Sequence, residues 1–487
     1  MKTAFFCTLL TVAALLPLAP TATAQATPKQ LETVAAAYAK AGQLNGTVLV
    51  AEHGRVIFVK GYGLANREWN QPNAADTKFR LGSLTKQFTA MLVMQLVEKG
   101  KLRLDAPVSN YLPDYPQPNG EKITIHHLLT HTAGIPNYTA QASFQAVSIL
   151  PTTPAAFVRS FAGLPLEFEP GSKFNYSNSG YFLLGEIIEK VTGKPYAQVL
   201  TENILGPLHM QDTGYDLPGT ILPKRAAGYE KSGTAIRNAD YLDMTVPYAA
   251  GSLYSTVLDL VKWDQALAGT QLLSEASKTL LFKPFKHNYA YGWGVGKFVV
   301  GSDTLQLLSH DGGINGFGTT ITRLPQRQAL VVVLDNEGGE QAGRLGGDLL
   351  RVLYHKAPKG PEPASPGAST AALASAAAPA VAAASTAPAT AAMTSPVAAA
   401  ENAAALAAYV GRYEVAPTFS ITVKEQSGQL TAQATGQQPF GLVAMAPGRF
   451  RVPVLAAEVE FVRNAAGKVE KLVLHQDGHH SPGRKVE

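Results

Sequence analysis

Gly82-Ser83-Leu84-Thr85-Lys86-Gln87-Phe88-Thr89-Ala90-Met91-Leu92-Val93-Met94-Gln95-Leu96-Val97-Glu98-Lys99-Gly100 is the stretch that decides how this chain is read. Gly82 opens it, Thr85 to Lys99 reads as one continuous helix, and Gly100 stands where helices stop. Phe88, Met91, Leu92, Val93, Met94, Leu96 and Val97 leave almost no polar face, so the helix is predicted to be enclosed by protein on most sides. Ser83 then sits at the mouth of a buried helix, and Lys86, one turn along on the same face, brings its amine within reach of the Ser83 hydroxyl. A serine hydroxyl attacks once its proton is removed, and a lysine removes it only when neutral, a state that desolvation favours. The free amides at the same helix end favour negative charge developing on a bound carbonyl oxygen. Read alone, the pair fits a helix cap followed by a solvated first-turn lysine better than a catalytic pair.

Two further segments change that balance. Tyr176-Ser177-Asn178 lies in a polar connection bounded by Gly171 and Gly180, ahead of a helix containing Leu183, Leu184, Ile187, Ile188 and Val191. In extended backbone alternate side chains share a side, so Tyr176 and Asn178 face one site; taken alone, the triplet also fits a core tyrosine followed by turn residues. Leu307-Leu308-Ser309-His310-Asp311-Gly312-Gly313 runs into Asn315-Gly316-Phe317-Gly318 and the apolar run Ala329 to Leu334. A strand passing into paired glycines suggests an edge where a substrate backbone approaches closely, and the Gly313 amide there could complete an oxyanion hole with that of Ser83. His310 in isolation reads as an ordinary structural histidine.

Taken in order, Ser-x-x-Lys, Tyr-x-Asn and His-x-Gly resemble the serine beta-lactamase and penicillin-binding-protein superfamily, in the form of its class C beta-lactamase and D-alanyl-D-alanine carboxypeptidase branch. Leu128-Leu129-Thr130-His131-Thr132-Ala133-Gly134-Ile135-Pro136 and Gly251-Ser252-Leu253-Tyr254-Ser255-Thr256 look like segments of the same branch, and the resemblance covers residues 30 to 355. It implies Ser83 as the acylated nucleophile, Lys86 as its proton partner, and Tyr176 acting with Lys86 to pass the proton to the leaving group. Asn178 would orient Lys86 and bind substrate alongside His310, Gly312 and Gly313, with no cofactor and no metal. It also implies an α/β fold, an antiparallel sheet flanked by helices with a largely helical inserted region. The chain departs from the pattern at His310-Asp311, where many relatives carry Lys followed by Thr or Ser. Histidine is mostly neutral near pH 7 and aspartate repels carboxylates, so the departure disfavours beta-lactams and favours peptidase or esterase chemistry.

The 487 residues exceed one ordinary domain. Lys2, the apolar stretch Phe5 to Leu18 and Ala22-Thr23-Ala24 match a secretory signal over residues 1–24, which holds the single cysteine, Cys7, and implies a periplasmic or secreted protein. Residues 25–356 then form the hydrolase domain, 357–402 an Ala/Pro-rich linker, and 403–487 a small β-barrel similar to the lipocalin-like domains that follow some serine hydrolases of this superfamily. Within the hydrolase domain, Thr27-Pro28-Lys29-Gln30 caps a first helix, and Gly46 to Ala51 with Arg55 to Lys60 forms a hairpin. Helices dominate from Ser83 to Ala268, strands return from Tyr291 to Leu334, and Gln341 to Tyr354 closes as a helix. Strands at both ends with helices between predict one sheet built from both ends and covered by helices. The formal charge of +5 is scattered rather than striped, which argues against nucleic acid, and no apolar run after the signal is long enough to span a bilayer. His479-His480 reads as a solvated tail rather than a metal site.

The reading is a secreted serine hydrolase working through an acyl-enzyme on a small-molecule or peptide substrate, peptidoglycan-derived peptides among them. D-amino-acid peptides come first, simple esters second and beta-lactams third. The alternative is a non-catalytic penicillin-binding sensor or scaffold that uses the same pocket, with the C-terminal barrel as a ligand- or partner-binding module. A third reading makes that barrel a lid or a dimer contact for the hydrolase domain. Oligomeric state is left open.

Overall fold

Thr27 accepts the Gln30 N–H while the Gln30 side chain accepts the Thr27 N–H, and this reciprocal cap starts α1, Pro28–Lys40. The computed structural model describes residues 26–232, 235–338, 341–362, 406–416, 419–426, 429–435, 440–452, 457–464, 466–476 and 479–486. The leader read at residues 1–24 and most of the linker lie outside the described residues. Among those described, no helix is long and apolar enough to cross a membrane.

Six antiparallel strands form the main sheet: β1 Gly46–Glu52, β2 Arg55–Tyr62, β3 Gly294–Val300, β4 Asp303–Ile314, β5 Phe317–Leu324 and β6 Ala329–Asp335, in the spatial order β3-β4-β5-β6-β1-β2. The β1–β6 ladder, Gly46 opposite Asp335 through Glu52 opposite Ala329, joins the two ends of this unit. Alternation sends Val48, Val50, Val331 and Val333 to one face, under α1 and the closing helix, and Leu49, Ala51, Leu330, Val332 and Leu334 to the other. Both faces of the central strands are therefore buried, which is why their sequences are continuously apolar.

On the second face lies α2, Thr85–Glu98, in which every residue from Thr85 to Leu96 is buried. Beside it runs α3, Asn178–Thr192, ended by Gly193 in the left-handed conformation at φ 68°. The helix begins at Asn178, so Gly180, expected to bound the preceding loop, lies inside its first turn. α4, Val257–Ala268, stacks Trp263 on Phe88 of α2 at 4.3 Å, and α5, Ala342–Leu353, covers the first face with α1.

The C-terminal residues form a second antiparallel sheet: β7 Gly411–Ala416, β8 Phe419–Gln426, β9 Gln429–Ala434, β10 Phe440–Gly441, β11 Val443–Ala446, β12 Arg449–Val452, β13 Ala457–Arg463, β14 Val469–Gln476 and β15 His479–Lys485. Its order is β10-β9-β8-β7-β15-β14-β13-β12-β11. The two outermost strands, β10 and β11, are separated in the chain by Leu442 alone, so the sheet must curl until its edges meet. Tyr409, Tyr413, Phe450, Phe461 and Leu472 fill the concave side. His479-His480 corrects the sequence reading: these residues open β15, which pairs with β14 and β7, and are not a tail. Few apolar residues mark that strand because its neighbours, not its own periodicity, recruit it.

Candidate active site

Ser83 sits in a tight turn, Gly82–Leu84, that leads into α2, and the turn is clamped from both sides. The Leu81 N–H donates to the Leu253 carbonyl at 2.7 Å, while the Leu81 carbonyl accepts the Thr319 hydroxyl at 2.8 Å. Gly82 has φ +54°, and a methyl there would fall 2.9 Å from the Gly313 oxygen, so only glycine lets the turn and β4 approach this closely. Gly312 makes the same approach from the strand, since a methyl on it would lie 2.1 Å from the Leu81 carbonyl oxygen. Gly312 is buried in that contact, whereas Gly313 is exposed with open space at its Cα.

Two polar side chains reach Ser83 Oγ, and a third holds one of them. Lys86 Nζ lies 3.0 Å from Ser83 Oγ, 2.8 Å from Asn178 Oδ1 and 2.9 Å from the Ala250 carbonyl oxygen. The Tyr176 hydroxyl lies 2.9 Å from Ser83 Oγ. Tyr176 and Asn178 thus converge on one point, as alternation in an extended segment predicts; Ser177 between them has φ −139° and ψ 121°. Lys86 is fully buried, and desolvation pushes its amine well below the usual lysine range. Burial pushes the Tyr176 phenol up, partly opposed by its bond to Ser83, so it keeps its proton.

The hydrogen-bond inventory of Lys86 suits both protonation states. A neutral amine has two N–H donors, which match Asn178 Oδ1 and Ala250 O, and one lone pair, which faces the Ser83 hydroxyl. An ammonium donates to all three. A proton can therefore arrive or leave without the side chain moving.

β4 supplies the other wall. Its turns at both ends, Gly301-Ser302 and Asn315-Gly316, are two-residue hairpins that bond Asp303 to Val300 and Ile314 to Phe317. Counting inward, Gly312 bonds to β5, while Asp311 and Gly313 turn their N–H and C=O toward the β3 side. The β3 ladder ends at the pair Gly294 and Ser309, which leaves the edge beyond Ser309 uncovered beside Ser83. The edge expected from the glycine pair is thus half a strand long, since β4 is otherwise an inner strand.

His310 faces the site side of the sheet but is 4% exposed and already bonded. Its Nε2 lies 2.9 Å from the Tyr289 hydroxyl and its Nδ1 2.6 Å from the Asp311 carbonyl oxygen. Desolvation, with a smaller push from Lys86, lowers its pKa to about 3, so the ring is neutral. The expectation that Asp311 repels a bound carboxylate is corrected by alternation: its side chain lies on the opposite face, where a methyl on Gly343 of α5 would come 2.8 Å from Oδ2.

Sequence reasoning assigned no role to His131, Tyr289 or the Ala250 carbonyl, although His131 and Gly251 stood in segments carrying the resemblance. Each acts by a contact distant in sequence that no local pattern announces. Among the described residues no group of three or more His, Cys, Asp or Glu side chains is placed to hold a metal ion.

A family profile described as Beta-lactamase matches residues 31–356, and one described as a domain of unknown function, DUF3471, matches residues 395–484. Penicillin-binding protein 4* of Bacillus subtilis (strain 168) is 28% identical over 471 residues, covering 92% of this chain and 97% of that protein. A penicillin binding protein from Bacillus halodurans has a solved structure similar at TM-score 0.59 and 30% identity, covering 66% of this chain and 98% of that one. A D-stereospecific amidohydrolase from Streptomyces sp. is similar at TM-score 0.57 and 26% identity, covering 67% and 98%.

Proposed function

Because the chain belongs to the beta-lactamase family of serine hydrolases, we propose that it hydrolyses small amides and esters of D-amino acids through an acyl-enzyme at Ser83. The observation that carries this reading is the convergence of Lys86 Nζ and Tyr176 OH on Ser83 Oγ, at 3.0 and 2.9 Å, with the amine desolvated and the phenol protonated. Neutral Lys86 takes the Ser83 proton as Oγ bonds to the substrate carbonyl carbon. The resulting oxyanion is held by the N–H groups of Ser83 and Gly313. As the intermediate collapses and the C–N or C–O bond breaks, Tyr176 gives its proton to the departing amine or alcohol and is refilled from Lys86. Water then repeats the sequence on the acyl-enzyme.

The neutral, occupied His310 narrows the substrate. No fixed cation stands on β4 to hold a carboxylate, so amides, amino-terminal peptide bonds and esters are favoured over a carboxypeptidase substrate or a beta-lactam. The D-amino-acid preference rests on likeness to the Streptomyces amidohydrolase. We read residues 1–24 as a secretory leader and the reaction as one outside the cytoplasm, with peptidoglycan-derived peptides as natural candidates. We read the C-terminal sheet as lipocalin-like on the strength of its curl.

Purified protein given a D-amino-acid amide, a D-Ala-D-Ala peptide, a nitrophenyl ester and a chromogenic cephalosporin should turn over the amide and ester fastest and the cephalosporin slowest. Absence of turnover on all four, or turnover undiminished in Ser83→Ala, would remove the proposal.

A further inference from the structure

His131 holds Tyr176 from three directions. The Asn175 N–H donates to the His131 carbonyl at 2.9 Å and the Ser177 N–H donates to His131 Nδ1 at 3.1 Å, so the residues on both sides of Tyr176 are tied to one residue. The imidazole also lies against the phenol ring, centroids 4.2 Å apart and planes at 37°. We propose that His131 is the positioning residue of the reaction, the template that keeps the Tyr176 hydroxyl on Ser83 Oγ. The inference rests on the hydrolase reading for its kinetic arm only.

The surroundings of His131 suit a template and not an acid or base. It is 2% exposed, and its backbone is left-handed at φ +56°, a conformation rare outside Gly, Asn, Asp and His. Accepting from Ser177 fixes the tautomer with the proton on Nε2, and that atom has no hydrogen-bond partner among the described residues. It is enclosed by aromatic rings, with Tyr181 at 5.1 Å, Tyr289 at 4.7 Å and Phe174 at 5.9 Å between centroids. Tyr289 in turn bonds His310 of β4, so His131 packs against supports of both walls of the cleft. Burial, with Lys86 and His310 nearby, keeps the ring neutral and hence able to accept the Ser177 N–H. The loop behind is hung from the same stretch, with Gly171 N–H on the Thr132 carbonyl and Glu167 N–H on the Gly134 carbonyl, each at 2.8 Å. Those bonds hold the loop, whereas the bonds and ring contact of His131 bear on Tyr176 and its two neighbours.

The test compares His131→Asn, His131→Gln and His131→Leu. Asn tolerates the left-handed backbone and puts an amide oxygen where Nδ1 accepts; Gln reaches past it, and Leu has no acceptor. In active-site-titrated folded protein we expect kcat to fall about 100-fold in Leu and Gln with KM within about threefold, and Asn to recover to within about tenfold of wild type. Crystal structures of the Gln or Leu variant should show the Tyr176 hydroxyl beyond hydrogen-bond reach of Ser83 Oγ. If Leu does not fold, the Asn-against-Gln comparison carries the test. Equal kcat in Asn and Gln, or Tyr176 in place in the Gln variant, overturns the proposal. A wild type inert to every substrate would sink the hydrolase reading instead, and the Tyr176 to Ser83 separation would still decide the role of His131.

Discussion

Lys86 is the residue on which the chemistry turns, and its burial fixes the sign of the pH dependence. The amine works as a base only when unprotonated, and desolvation lowers its pKa, so activity should climb with pH through that depressed value and then level. No descending limb from Tyr176 is expected below the ordinary tyrosine range, because burial moves the phenol upward. Lys86→Arg keeps a charge that cannot be shed and should cost about 10³-fold in kcat, measured against the same ester across pH 5 to 10. An ascending limb that survives in the Arg variant would assign it to another group. At the same scale, the two glycines of β4 separate cleanly. Gly312→Ala puts a methyl 2.1 Å from the Leu81 carbonyl oxygen and 2.3 Å from Thr319 Oγ1, both parts of the clamp on the nucleophile turn, whereas Gly313→Ala meets nothing within 4 Å. Gly312→Ala should lower the melting temperature and slow covalent labelling of Ser83 by a fluorophosphonate, with Gly313→Ala leaving the melting temperature unchanged. Equal effects would mean that β4 yields easily and that the clamp is loose.

At the scale of single elements, α3 carries a cost as well as a catalytic amide. Its first residue is Asn178, and two turns on it buries Glu186, 7% exposed, whose Oε2 has no hydrogen-bond partner among the described residues. Desolvation raises the Glu186 pKa, only partly opposed by Lys190 and Arg159. The folded state therefore holds this proton more tightly than the unfolded one, so stability is fully present below the ordinary glutamate pKa and falls as pH rises through the raised value. Glu186→Gln should gain about 1 kcal/mol at pH 7 and nothing at pH 4, read from urea unfolding at both values. A gain that is the same at both pH values would place the effect in packing. These elements also show what can be read in advance. α2 and the Tyr176 segment announce themselves because apolar content and two- or three-residue spacings are local quantities, and the sheet follows from apolar runs at both ends of the unit. The packing role of Gly312, the bond from Tyr289 to His310 and the side taken by Asp311 depend on register and on partners in other elements, which no local pattern of sequence announces. β15 escapes for the opposite reason: His479-His480-Ser481-Pro482 has no strand signature of its own and becomes a strand because β14 offers its edge, with β7 pairing the far end at Arg484 and Lys485.

For the whole molecule, the consequential feature is where the first unit stops being held. Asp348 of α5, 1% exposed, accepts the Tyr38 hydroxyl from α1 at 2.8 Å and the backbone N–H groups of Lys359 and Gly360 at 2.7 and 2.8 Å. The Gly360 carbonyl accepts from Arg344 Nε at 2.8 Å, and the Gln43 side chain bonds both the N–H and the carbonyl of Glu362. Residues 357–362, which composition assigns to the linker, thus tie the first helix to the last across the sheet face opposite Ser83. A chain ended after Lys356 leaves a buried carboxylate short of two donors, a loss of about 1–3 kcal/mol for each, whereas one ended after Glu362 keeps them. The shorter chain should melt several degrees below the longer, while Lys86 and Tyr176, on the other face, keep the kcat of whatever fraction is folded. Equal melting temperatures would show that the strap contributes nothing. A drop in kcat per folded molecule would show that the helices under the sheet are coupled to the nucleophile turn above it, through β5 and the hydroxyl that Thr319 places on Leu81.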